Sequence, residues 1–78
     1  MTLYEGKTGF TYVVKGIHLE QNSITRRLEA LGLNEMTGVQ ILNRKRSGAF
    51  IIKVRGTRLA IGKYIAQGIE VEEVKKNA

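Results

Sequence analysis

A chain of 78 residues with 42% hydrophobic and 26% charged side chains has the composition of one small globular domain, neither disordered nor apolar over the ~20 consecutive residues that a membrane-spanning helix needs. The absence of Cys excludes disulfides, thiolate catalysis and Cys-ligated zinc. Thirteen Lys and Arg against seven acids, all of them Glu, give a net charge of +6, a balance that favours anionic partners: nucleic acid, an acidic protein face or anionic lipid.

The N-terminal stretch MTLYEGKTGF contains a Glu and no apolar run, so no secretory signal is expected and a cytoplasmic protein is the simplest reading. Residues 1–8 read as a tail anchored by the isolated Leu3. The first strand follows Gly9 in FTYVVKGI, where Tyr12 and Val14 share one face and Thr11, Val13 and Lys15 the other. Gly16 breaks this alternation and predicts a bulge that returns Ile17 to the core.

The next stretch, NSITRRLEALGL, sets Ile24, Leu28 and Leu31 at i, i+4 and i+7, one stripe of a short helix over 23–31. Arg26, Arg27 and Glu29 take the wet side, and either Asn22 or Ser23 is placed to cap the start. Gly32 suits the left-handed position after the last turn, with Leu33 packing back on Leu28.

Two strands then flank NRKRSG. Val39 and Ile41 alternate in the first; Phe50, Ile52 and Val54 alternate in the second. Ser47-Gly48 supplies the turn, so Arg44, Lys45 and Arg46 are expected to project from a hairpin tip. A second tight turn at Gly56-Thr57 leads into a strand from Arg58 to Ile61. A single helical turn fits Gly62 to Gln67, and Ile69 and Val71 open the last strand, with Val74 beyond and 75–78 expected to fray.

Five short strands with glycine-marked corners cannot bury one face in a flat sheet of this size. The predicted fold is therefore mostly β: a small five-stranded barrel of the SH3-like or OB-like kind, with one short helix after the first strand and a helical turn before the last. Residues 1–78 form a single domain on this reading.

The reactive side chains are few. His18 is the only histidine, and with Glu20 two residues on it could pinch a divalent ion; two ligands fall short of the three or four that a zinc site uses. Glu70, Glu72 and Glu73 could gather a hard cation, or lie on a solvated strand and offset nearby Lys. Ser23 and Ser47 have no recognisable base and orienting acid, and no phosphate-binding glycine loop is present, so the pattern does not describe an enzyme. Residues 44–63 hold seven cations and no acid, which suits phosphate tracking. Of the five aromatics, however, Tyr12 and Phe50 are placed for the core, and none is expected to stand exposed among the arginines.

Read in order, RRLEALGL, then V-x-I, a hairpin, G-T-x-L-A-I and A-x-x-I-x-V resemble the FeoA family. These are small SH3-like cytoplasmic proteins of the bacterial ferrous iron uptake system, similar also to the C-terminal domain of diphtheria-toxin-regulator-type repressors. Leu3 and Gly9 match the family's opening; Arg27, Leu28, Leu31, Gly32 and Leu33 match its R-L-x-x-L-G-L signature. Val39 and Ile41 match the following strand, Gly56, Ala60 and Ile61 the hairpin exit, and Ala66, Ile69 and Val71 the close. One position departs: the family commonly has glycine three residues after L-G-L, where this chain has Met36. A turn requiring positive φ there would strain Met36.

The resemblance implies a non-enzymatic accessory protein that docks on the cytoplasmic part of the membrane GTPase transporter FeoB. No cofactor is implied, although a transition metal ion could be touched. Nucleic acid is not the expected partner, the membrane is met only through the transporter, and a homo-oligomer is left open. Arg26, Arg27, Arg44, Lys45 and Arg46 are the candidate contact residues. The alternatives are a small basic nucleic-acid-binding barrel and a metal-responsive regulatory domain.

Overall fold

The alternating stretches pair into a single antiparallel sheet in the computed structural model, which describes residues 1–74. The strands are β1 (Thr11–Ile17), β2 (Gly38–Arg44), β3 (Phe50–Val54), β4 (Thr57–Ile61) and β5 (Ile69–Glu73), in the order β4-β3-β2-β1-β5. Helix α1 (Asn22–Ala30) links β1 to β2, and the short α2 (Lys63–Gln67) links β4 to β5. Because side chains alternate along a strand, Tyr12 and Val14, Val39 and Ile41, and Phe50, Ile52 and Val54 all turn inward and are buried. Leu3, Leu28, Leu33, Ile69 and Val71 complete the core from the surrounding segments. Each such large side chain taken from water contributes roughly 1.5–3 kcal/mol, which a domain this small cannot forgo.

The local signals read from sequence shape the sheet where they occur. The β1–β5 register shifts between Val14 and Gly16, so a bulge at Lys15 turns Ile17 back against the core. Helix α1 ends as its Gly predicts. Gly32 has φ +102, the Leu33 N–H donates to the Leu28 carbonyl at 2.9 Å, and the Gly32 N–H donates to the Glu29 carbonyl at 3.0 Å. Its start differs from expectation. The N-cap is Gln21, with no side-chain hydrogen bond, and Asn22 and Ser23 already lie inside the helix. Met36 does sit at positive φ, +71.

The expected closed barrel is not formed. The sheet is strongly bulged but open, with β4 and β5 as its two edges and no pairing between them among the described residues. The reason is visible at the β5 edge, which the chain's own start already occupies. Thr2 bridges Glu70, the Val71 N–H donates to the Met1 carbonyl at 2.8 Å, and the Met1 amine lies 3.3 Å from the Glu70 carboxylate. A 3₁₀ turn at Leu3–Glu5 then drops Leu3 fully into the core, as its isolation suggested. The stretch 75–78, expected to fray, lies outside the described residues.

Candidate functional site

Two surfaces combine exposed chemistry with a fixed frame. The first is the β2–β3 hairpin. Its turn is closed by Lys45 N–H to the Ala49 carbonyl at 2.8 Å and Gly48 N–H to the Lys45 carbonyl at 2.9 Å, with Gly48 at φ +95. Lys45 and Arg46 stand exposed in this turn. Arg44 does not join them at the tip. It ends β2 opposite Phe50, and its guanidinium carbon lies 4.6 Å from the Phe50 ring centre and 5.3 Å from that of Tyr4. Lys63 Nζ approaches Tyr4 at 5.4 Å. Tyr4 thus sits between two cations that sequence separation had hidden, and the expectation that no aromatic stands among the basic residues is corrected by the N-terminal turn. Cations over ring faces contribute about 0.5–1 kcal/mol at exposed sites, so Arg44 is a packed residue before it is a free charge.

The second surface is a groove of about 280 Å³ between α1 and the open edge of the sheet. Ile24, Arg27, Leu28 and Leu31 line it from α1; Leu59, Ala60 and Ile61 line it from β4, and Ile65 closes it from α2. Leu28 goes into the core, but Leu31 remains 45% exposed. The helical stripe grouped Leu31 with the core residue Leu28; Leu31, just past the last helical residue Ala30, instead faces this groove. Arg27 is in the wall and Arg26 is on the outer side of the helix, exposed. Nothing in the periodicity of 57–61 marks Leu59 as groove-lining, since that depends on β4 being an edge. The one available signal was that Leu31 stands at the helix end, where a stripe loses its cover.

His18 and Glu20 are both exposed, beyond the end of β1. The His18 imidazole folds back toward Gly16, and among the described residues no three His, Asp or Glu side chains gather as metal ligands. Glu70 and Glu72 are engaged by cations: Glu70 by the Met1 amine, and Glu72 by Lys15 Nζ at 3.1 Å across the β1–β5 pair. Glu73 is exposed. These carboxylates therefore do what a solvated strand asks of them. No helix of the described residues is long and apolar enough to cross a membrane.

With this geometry the chain can be compared with known proteins. No curated protein matches it in sequence. A solution structure of the FeoA protein from Chlorobium tepidum is 25% identical with a TM-score of 0.91, covering all of this chain and 74% of that one. The FeoA of Stenotrophomonas maltophilia, solved with zinc and described as a prokaryotic SH3 domain protein with a suggested role as a ferrous iron transport activating factor, is 26% identical. Its TM-score is 0.80 over 92% of this chain and 89% of that one. A manganese-dependent transcriptional repressor, 21% identical, shares the fold alone. It aligns with a TM-score of 0.86 over 95% of this chain and 36% of its own. The model of the FeoA domain matches residues 1–73, so the open SH3-like sheet, the R-L-x-x-L-G-L helix end and the groove they frame are those of a chain that belongs to the FeoA family.

Proposed function

We propose that this chain is a non-enzymatic accessory protein of bacterial ferrous iron uptake, acting in the cytoplasm by docking on the cytoplasmic part of a FeoB-type GTPase transporter. The observation that carries this reading is the pairing of FeoA membership with a surface built for contact. An apolar groove with a cation in its wall lies open beside a sheet edge, while no three His, Asp or Glu side chains gather as metal ligands among the described residues. Basic residues around such a surface steer encounter and orientation more than they add affinity. A related protein of 30% identity is called an iron uptake regulatory protein, which supports the same assignment.

The test is binding of the purified chain to the purified cytoplasmic part of the transporter, followed by stopped-flow at two salt concentrations. Docking through charge steering gives an association rate that falls with salt, and replacing Lys45 and Arg46 by Glu slows it further. Absence of binding at low salt removes the docking reading.

A second reading, a metal-responsive regulatory module, draws on the likeness to repressors, among them ScaR with bound Cd2+ at 29% identity over 92% of this chain and 35% of that one. It predicts that ferrous or zinc ion in millimolar excess raises the melting temperature; an unchanged melting curve removes it. The basic hairpin leaves nucleic acid as a third case, recognised by retention of oligonucleotide with a steep dependence on salt.

A further inference from the structure

The two edges of the sheet are treated unequally. The outer edge of β5 is covered by residues 1–2, which take up the Val71 N–H. The outer edge of β4 has no such cover. The β3–β4 turn holds only Arg55 and Gly56, at φ +50 and +80, between the paired Val54 and Thr57. A two-residue turn of this kind makes Val54 and Thr57 a hydrogen-bonded pair, and bonded pairs then alternate along the ladder. Thr57, Leu59 and Ile61 therefore bond to β3, whereas the N–H and C=O groups of Arg58 and Ala60 point outward. Neither residue makes a further hydrogen bond to a described residue. The β3–β4 register runs without a shift from Val54–Thr57 to Phe50–Ile61, so no bulge twists the edge away, and the chain has no proline to block it. Its guard is charge, Arg58 on the strand with Arg55 and Lys63 beside it, so the edge disfavours a like-charged strand and templates one of opposite charge.

The groove runs alongside this edge. Leu59 and Ala60 form one wall and Leu31 and Arg27 the other, so a strand laid against β4 would set alternate side chains between them. The sign of the charge selects the occupant. Arg27 lines the groove, Arg58 lies on the strand, and Arg55 and Lys63 bracket β4, with no acid anywhere from residue 44 to 63. A second copy of this chain pairing β4 with β4 would set these cations against themselves. An acidic strand neutralises them.

We propose that the β4 edge and its groove receive an extended segment of a partner protein, alternating acidic with apolar residues, as a sixth antiparallel or parallel strand. This deepens the docking reading above and rests on it only for the partner being a protein. Backbone hydrogen bonds to Arg58 and Ala60 hold the segment, and its apolar side chains cover Leu31 and Leu59.

The probe is an acetylated heptapeptide alternating Glu with Val and Leu, titrated into the ¹⁵N-labelled full chain at low salt. Binding is expected to shift the Arg58 and Ala60 amides and slow their hydrogen exchange. Leu31→Glu, at an exposed position, should weaken it about tenfold or more, and so should methylation of the peptide's alternate backbone nitrogens. Saturation without protection at Arg58 and Ala60 overturns the proposal. So do shifts centred on residues 44–49, no binding at millimolar peptide, or equal binding of a Lys-for-Glu peptide. The same Leu31→Glu variant in the transporter assay separates the two readings. Wild type and variant binding equally sinks the groove and keeps docking. No binding by either sinks docking, and the peptide titration still decides the groove.

Discussion

The Arg55 side chain crosses from the β3–β4 turn to the end of α1, where its Nε donates to the Gly32 carbonyl at 3.3 Å. A cation is favourable at a helix C-terminus, where unpaired carbonyls concentrate negative potential. The contact also ties the two walls of the groove together, since Gly32 follows Leu31 at the end of α1 and Arg55 opens the turn into the strand carrying Leu59.

Gly32 is irreplaceable for two reasons that can be separated. Its φ of +102 disfavours any side chain, and a Cβ there would come within 2.7 Å of Arg55 Cδ. Gly32→Ala is expected to cost about 1–2 kcal/mol from the backbone alone, with an added steric part. In urea unfolding, Arg55→Ala in the same chain should recover only the steric part. Full recovery would mean that the left-handed backbone carries no strain.

Met36 is the opposite case. It holds φ +71 with 66% of its surface exposed, and its sulfur meets Lys15 Nζ at 3.9 Å. Met36→Gly removes the αL penalty and loses little packing, offset by the larger unfolded-state freedom of Gly. The expected result is a gain of roughly 0.5–1 kcal/mol, seen as a rise of a few degrees in melting temperature. A fall would show that the exposed thioether packs better than its surroundings indicate.

Arg44 and Lys45 adjoin in sequence and should separate in experiment. Arg44→Ala removes a cation stacked on Phe50 and Tyr4 and is expected to cost about 0.5–1 kcal/mol. Lys45→Ala, in the exposed turn, should stay within about 0.5 kcal/mol of wild type. Charge reversal at the tip therefore tests docking cleanly only at Lys45 and Arg46. Equal effects of the two alanine changes on the chemical denaturation midpoint would refute this division.

Acid should loosen the N-terminal turn. The Thr2 backbone N–H, donating to Glu5 Oε1 at 2.6 Å and assisted by the Thr2 side chain, holds the Glu5 carboxyl below its ordinary value of 4.5. A carboxyl lowered in the folded state stabilises above its unfolded value, and that contribution is lost as pH falls through the lowered folded value. The melting temperature is thus expected to drop below about pH 4.5, with Glu5→Gln removing part of the drop. An identical pH profile for Glu5→Gln would dismiss the turn as a contributor.

Much of this architecture is legible in the residues. Alternation in 11–14 and 50–54 fixes which side chains are buried, and Gly32 and Gly48 fix where the chain reverses, because each of these is a local steric demand. The departures are all matters of what lies opposite. Leu31 belongs to the apolar stripe, yet the stripe cannot say that the facing sheet stops short of it. Arg44 reads as part of a charged run, and only the docking of the 3₁₀ turn puts Tyr4 beneath it. The closed barrel follows from counting strands, but counting does not reveal that residues 1–2 already occupy one edge. Helix α1 begins without either expected cap, and in its first turn Ile24 packs against the core.

The pairing of β5 with β1 joins Ile69 to Ile17 and Glu73 to Tyr12, so this ladder waits for the last of the five strands to be made. During synthesis, β1 to β4 emerge from the ribosome with one edge of β1 unpaired, and the Met1–Thr2 segment lacks the β5 edge it lies against. Contacts this distant in sequence form late and slowly. A nascent chain halted before Val71 would leave Leu3 and Val14 without their cover, an object for proteases and chaperones instead of a partial module.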